Sequence, residues 1–285
     1  NGSPYFIMDH DSLVLSACCR LKTKIDKALL ENPEKIRFCG FQNVTINLPQ
    51  CAYRAGGNIK KYRKEVQKAI DIAIKAHLQK KEHVKSIGSD PGTPLYSLIG
   101  TNFVDGEPYV DLDKATYIIG LIGLNEAMQH LVGEELHDSE GTYETGRTEI
   151  AAMFNYLNIK SKETGLKLTL EESPAESASR RLALVDYNKY PCARNYVRGN
   201  KKTKDIYYSN SIHYRADADI DIVDRIEGQA KFHNMIESGA ITHVFCGENV
   251  PSAGAIFKVI KTTFEKTHTA QVTISPEFTV CRECH

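Results

Sequence analysis

The chain has 285 residues, with 36 basic and 36 acidic side chains and a formal net charge of zero. That balance argues against non-specific binding to nucleic acid or to an acidic membrane. A hydrophobic content of 41% and a charged content of 25% suit a globular protein with a substantial core, and no apolar run approaches the ~20 residues of a membrane span.

Taken in chain order, the first twenty residues hold a polar opening and an apolar stretch that ends in Ser16-Ala17-Cys18-Cys19-Arg20. Residues 41–48, rich in β-branched side chains, predict a strand. Residues 58–80 predict a helix, because Ile59, Tyr62, Val66, Ala69, Ile70, Ala73, Ile74 and His77 share one face and lysines fill the other. Pro91, Gly92, Pro94, Gly106 and Pro108 make 86–109 mostly loop, with room for a short strand at 95–99. Residues 117–122 read as a buried strand and 125–137 as a helix. A helix at 143–162, a strand at 166–171 and a helix at 174–186 follow. Residues 188–210 are polar and irregular, and 219–237 are helical. Strand 241–246, helix 252–265 and strand 270–275 then give a β-α-β unit. Strands alternating with helices imply an α/β protein with a largely parallel sheet. No internal repeat or clean linker divides it, so one domain is expected.

The eight cysteines are irregularly spaced in a large chain, which argues against a secreted disulfide framework. Residues 1–20 lack a basic region followed by an apolar one, so no secretory signal is expected and the cytoplasm is the expected location. The chain does not begin with Met, so its true N-terminus is left open.

Four motifs carry possible chemistry, each beside a plainer reading. The vicinal pair Cys18-Cys19 bridges itself only with strain. It is either two small core residues or a reactive sulfur at a loop tip, with Arg20 as a local positive charge. In Glu172-Ser173-Pro174-Ala175-Glu176-Ser177, Ser173 suits an N-cap, Pro174 the first helical position, and Glu176 completes a capping box. The same helix start offers free N–H groups and a positive dipole end to a phosphate. The run Tyr207-Tyr208-Ser209-Asn210-Ser211 is either a turn or a set of small polar groups for hydroxyls and phosphates. Cys281 and Cys284 form one CxxC, half of a four-cysteine zinc site. A redox CxxC is the competing reading, disfavoured because that motif sits at a helix start with chain continuing beyond it.

Together, in order, the segments Ser-Ala-Cys-Cys-Arg-Leu, Val-Thr-Ile-Asn, Gly-Leu-Ile-Gly-Leu-Asn-Glu, Glu-Ser-Pro-Ala-Glu-Ser-Ala, Tyr-Ser-Asn-Ser and Ile-Ser-Pro-Glu-Phe-Thr-Val-Cys-x-x-Cys resemble the anaerobic (class III) ribonucleoside-triphosphate reductases. The resemblance runs over essentially the whole chain. It implies half of the ten-stranded α/β barrel of ribonucleotide reductases and glycyl-radical enzymes, over residues 1–280, with a finger loop at its centre. Residues 281–285 would begin a truncated zinc-binding segment. The resemblance makes Cys19 the thiyl residue, with Cys18 the lesser candidate. It puts Asn47 near the ribose, and gives Ser173, Pro174, Ala175, Glu176 and Ser177 the substrate phosphates. Ser209, Asn210 and Ser211 would line the same pocket, and Cys281 and Cys284 would be the first zinc knuckle. It further implies a glycyl radical, formate as co-substrate, a homodimer, and a separate iron–sulfur, S-adenosylmethionine-dependent activating enzyme.

Three parts of the family pattern are missing. There is no Arg-Val-x-Gly-Tyr-like segment, since Arg225-Ile226-Glu227-Gly228 falls in a predicted helix. The second CxxC is absent, and nothing precedes the finger loop. These departures lead us to expect a fragment or split-gene product, inactive without the rest of the reductase. The alternative is a non-catalytic relative kept for nucleotide binding or assembly. A glycyl-radical acyltransferase or lyase on the same barrel fits poorly, because such an enzyme needs no triphosphate pocket.

Overall fold

The computed structural model describes residues 5–8, 10, 14–16, 22–24, 30–37, 39–101, 106–173, 176–247 and 251–275. The chain opens with β1 (Tyr5–Ile7) and an antiparallel pair, β2 (Val14–Ser16) and β3 (Lys22–Lys24), with Val14 opposite Lys24. Strand β4 (Gly40–Asn47) leads into helix α1 (Leu48–Ala55), which the sequence reading did not anticipate. Its start follows from local chemistry: the Asn47 side chain accepts from the Gln50 N–H, and Pro49 occupies the first turn.

Helix α2 (Ile59–Gly88) is capped by the Asn58 side chain and buries Tyr62, Val66, Ile70, Ala73, Ile74 and His77. It runs to Gly88 rather than to residue 80, and the short strand expected at 95–99 is instead a π-helical turn over Tyr96–Gly100. Thr93 explains that turn: its hydroxyl donates to the carbonyls of Ile87 and Asp90 and accepts from the Tyr96 N–H. The backbone there is folded back on the end of α2 and cannot extend into a ladder.

Strand β5 (Thr116–Ile122), α3 (Leu124–Val132), α4 (Glu140–Thr164), β6 (Lys167–Glu172) and α5 (Glu176–Lys189) follow. The stretch read as irregular holds a hairpin, β7 (Arg198–Asn200) with β8 (Asp205–Tyr207). Then come α6 (Ile222–His233), β9 (Thr242–Phe245), α7 (Ala253–Lys266) and β10 (Gln271–Ser275).

Strands β4, β5 and β6 form a parallel sheet, with Thr45 beside Gly120 and Gly120 beside Glu171. Strands β9 and β10 are also parallel, and β1 closes their free edge in antiparallel fashion. Two backbone hydrogen bonds join the sheets: Ser238 N–H to the Leu170 carbonyl and Glu172 N–H to the Gly239 carbonyl, both 3.0 Å. The resulting wall is that of a partial α/β barrel.

Side chains alternate across a strand. One face of the first sheet presents Ile46, Tyr117, Ile119, Leu121, Leu168 and Leu170 to α2 and α4, where Tyr62, Ile70, Ile150, Met153 and Leu157 complete the largest apolar cluster. The other face carries Asn43, Thr45 and Asn47 on β4, Ile118, Gly120 and Ile122 on β5, and Thr169 and Glu171 on β6, by the same register. A second cluster forms where Ile122 meets Ala183, Tyr53 and Tyr208, and a third packs Val244, Val272 and Ile274 with Ile226.

Candidate active site

Parallel strands deliver their carboxyl ends to one edge, and loops there commonly carry function. Here that edge gathers Asn47 at the end of β4, Gly123 after β5 and Ser173 after β6. The segment after β8 crosses over them. Gly123, at φ 77°, turns its N–H to the Ser209 carbonyl at 3.0 Å, and the Leu124 N–H reaches the Ser211 carbonyl at 3.0 Å.

Ser209 is fixed by a fully buried carboxylate, Glu126. Its hydroxyl donates to Oε1 at 2.7 Å, and its N–H lies 3.1 and 3.2 Å from the two carboxylate oxygens. Burial raises the Glu126 pKa, against the hydrogen bonds from Ser209 and the charge of Arg198. The Ser211 hydroxyl donates to the Leu121 carbonyl at 3.1 Å and lies 3.4 Å from the Ser173 carbonyl and 3.0 Å from Asn210 Oδ1.

On the polar face, the Thr45 hydroxyl is 2.7 Å from that of Ser173 and donates to Asn43 Oδ1 at 3.2 Å, while Asn43 Nδ2 donates to Glu171. These groups meet above Gly120. A Cβ at that position would overlap the Ser173 hydroxyl and the Asn43 amide, so the close approach requires glycine.

Asn47 has both ends of its amide engaged. Oδ1 accepts from Gln50 N–H at 3.2 Å, and Nδ2 donates to Asp186 Oδ2 at 2.8 Å. Asp186, on α5, is fully buried and also accepts from Gln50 Nε2 at 2.6 Å and from the Tyr208 hydroxyl at 3.0 Å. Burial raises its pKa, and the three donors pull the other way. Burial likewise pushes up the phenols of Tyr208 and Tyr53, whose oxygens are 3.3 Å apart.

A cavity of about 490 Å³ opens beside this edge. Its wall includes Ser179 of α5, Tyr208, Ser209, Asn210 and His213, together with Arg198, Arg215 and Arg225. Arg198 and Arg215 are both paired with Glu135. His213 Nε2 lies 3.0 Å from Glu172, whose same oxygen accepts from the Ile241 N–H at 2.9 Å. The Ala270 N–H donates to His233 Nδ1 at 2.9 Å, so the neutral ring of His233 carries its proton on Nε2, 3.8 Å from Glu172.

The residues singled out from sequence are therefore only partly visible. Asn47, Ser173, Ser209, Asn210 and Ser211 come together at one end of the sheet. Ser177 lies exposed in the first turn of α5, and Glu176 is the first residue of that helix. Pro174, Ala175, Cys18, Cys19, Cys281 and Cys284 lie outside the described residues. Strands β2 and β3 pair on either side of residues 17–21, which are themselves outside them. Sequence reasoning missed Asp186, and it gave no role to Glu126, Glu172, Tyr208 and His213, although they stand within or beside the motifs it quoted. A carboxylate among Leu182, Ala183 and Leu184 in α5 was a usable signal for Asp186.

A sequence model of the family described as anaerobic ribonucleoside-triphosphate reductase matches residues 1–285. The chain belongs to the anaerobic ribonucleoside-triphosphate reductase family. Curated members of that name from Salmonella typhimurium and Escherichia coli are 22% and 21% identical to it over 206 residues, which are 70% of this chain and 28% of each relative. The chain thus spans little more than a quarter of their length. Among solved structures, the Thermotoga maritima anaerobic ribonucleotide reductase with glycerol in its active site aligns with a TM-score of 0.68 at 21% identity. That alignment covers 86% of this chain and 38% of the other. The same enzyme in complex with dATP and CTP aligns at 0.67 with the same identity and coverage. At that identity the likeness establishes the shared barrel fold.

The expected cofactors are corrected. Among the described residues no group of three or more His, Cys, Asp or Glu side chains could hold a metal ion. The free cysteines there, Cys39, Cys51, Cys192 and Cys246, are dispersed, and burial pushes the Cys51 thiol up to about 12, away from the thiolate a metal needs. The zinc assignment is withdrawn. So is formate beside Asn47, whose amide is held by the Gln50 N–H and by Asp186. The glycyl radical, expected on a segment that this sequence does not contain, is withdrawn with them.

Proposed function

We propose that this chain supplies the carboxyl-terminal half of a catalytic barrel, over residues 1–280. The barrel would reduce ribonucleoside triphosphates to 2′-deoxyribonucleoside triphosphates in the cytoplasm for DNA synthesis. One observation carries the reading. Asn47, Ser173 and the Ser209–Ser211 run are far apart in sequence, yet they converge at the carboxyl ends of β4, β5 and β6 beside a cavity.

The chemistry accounts for such a site. Hydroxide is a poor leaving group from an unactivated carbon. In this reading a thiyl at Cys19, generated by the rest of the reductase, would take the 3′-hydrogen, the 2′-hydroxyl would leave as water after gaining a proton, and two electrons and a proton from a reductant supplied outside this chain would reduce the sugar before Cys19 returns the 3′-hydrogen. Sulfur and carbon must meet at about 3–3.5 Å, which a rigid loop inside a barrel provides. Asn47 does not titrate near neutrality, so its role is to hydrogen bond to a ribose hydroxyl. Residues 173–177, at the entry to α5, would hold the phosphates at the positive end of that helix. Ser209 and Asn210 line the cavity beside them, and Ser211, fully buried, anchors that segment. Anchoring the phosphates supplies remote binding energy that positions the sugar.

The partners in this reading are the nucleotide, the rest of the reductase, a second copy and an iron–sulfur, S-adenosylmethionine-dependent activating enzyme. Turnover requires them. The test is Cys19→Ser in the intact reductase. Nucleotide binding should persist while deoxynucleotide formation disappears. A Cys19→Ser enzyme that still reduces nucleotide would overturn the assignment.

A further inference from the structure

Asp186 is a carboxyl group placed where a helix meets the sheet, fully buried, with three donors around it and no cation in hydrogen-bonding contact among its described partners. Burying a carboxyl group is costly unless its oxygens are hydrogen bonded. An apolar residue would have served α5 better if packing alone were at stake, because Ala183 on the same helix is already part of an apolar cluster. The three donors come from two different places: Asn47 and Gln50 at the junction of β4 and α1, and Tyr208 immediately before Ser209.

We propose that Asp186 is a positioning residue that sets which atom of the Asn47 amide faces which way, and so couples α5 to the sugar-binding edge and to the Ser209–Ser211 segment. This rests on the function proposed above. Asparagine oxygen and nitrogen have opposite hydrogen-bonding character. With Asp186 accepting from Nδ2 and the Gln50 N–H donating to Oδ1, the amide has one orientation only. It then offers substrate one remaining N–H and one lone pair, both in fixed directions. Gln50 is held by the other carboxyl oxygen of Asp186, and Tyr208 shares the oxygen that holds Asn47. A shift of α5 therefore moves Asn47 and the start of the serine segment together.

Asp186→Asn tests this with almost no change of shape. The amide nitrogen of the variant must face at least one donor, either Gln50 Nε2 or the pair formed by Asn47 Nδ2 and the Tyr208 hydroxyl. The arrangement then relaxes by turning Asn47. In the intact reductase with its activating enzyme, Asp186→Asn should lower kcat by roughly tenfold or more, the scale of one hydrogen bond to a charged group. KM for the nucleotide should change much less, since the phosphates are held elsewhere. In an Asn47→Ala background, Asp186→Asn should cost little further activity, because the group it orients is gone. Tyr208→Phe, which removes one of the three donors and keeps the ring, should give a smaller kcat loss in the same direction and serves as a variant that folds.

The outcomes separate the two claims. If Asn47→Ala leaves reduction intact, the reading of the site is wrong. If Asn47→Ala impairs reduction but Asp186→Asn is silent, or its loss is fully additive with that of Asn47→Ala, the positioning role is wrong. Loss of kcat with strong non-additivity supports it.

Discussion

The two faces of the β4–β5–β6 sheet are built from the same three strands in the same register, yet they answer to different demands. One face is Ile46, Ile119, Leu121, Leu168 and Leu170 against two long helices. The other is Asn43, Thr45, Thr169 and Glu171, with a glycine at the centre and hydrogen bonds from side chain to side chain. The apolar face would serve any α/β protein. The polar face is satisfied only because Gly120 leaves room for Asn43 and Ser173 to lean across it. Stability resides mainly on the first face and specificity of shape on the second.

The sharpest way to break that comparison is Ile119→Ala. Ile119 is fully buried between β4 and β6, and emptying its site should cost about 2–5 kcal/mol of unfolding free energy in denaturant titration. A loss under 1 kcal/mol would mean that the helix-covered face is not the main core. Gly120→Ala comes next. It overfills the polar face, and about 1–3 kcal/mol should be lost through strain, with reduction by the intact enzyme lost more completely than stability. Equal behaviour of the two variants in the activity assay, once corrected for folded fraction, would erase the distinction between the faces.

The smallest expected effect concerns pH. Burial raises the folded-state pKa of Glu126, so the native chain binds that proton more tightly than the unfolded one. Its contribution is fully present below the ordinary value near 4 and is lost as pH rises through the raised value. Glu126→Gln should flatten that part of the stability curve, with a change of about 1 kcal/mol, the scale of one hydrogen bond. An unchanged slope between acid and neutral pH would show that Glu126 is not the group responsible.

Much of the fold was legible. The strand read at 166–171 is Lys167–Glu172, and the β-α-β unit at the end is β9, α7 and β10 within a residue or so at each boundary. Those elements have clean periodicity and turn signals. Helix α1 was not seen because it is only eight residues long and starts directly after β4, so Asn47 is at once the last residue of the strand and the N-cap of the helix. The hairpin at 198–207 has three-residue strands with too little alternation to read. Asn47, Ser173 and Ser209 to Ser211 were singled out through motif order. Asp186 was not, and Glu126 and Glu172, though inside quoted segments, were given no role, because what marks them is burial, and burial of a carboxyl group is a property of the assembled fold.

The seam between the two sheets has a further implication. Where β6 meets the chain leading into β9, part of the stitching is done by a side chain: Glu172 takes the Ile241 amide that a neighbouring strand's carbonyl would ordinarily take. Peptide groups carry no net charge, whereas this stitch is an acid flanked by two imidazoles. The curvature of the wall at that joint is thereby set in part by one side chain, so a substitution at a single residue can alter how the two halves of the wall meet.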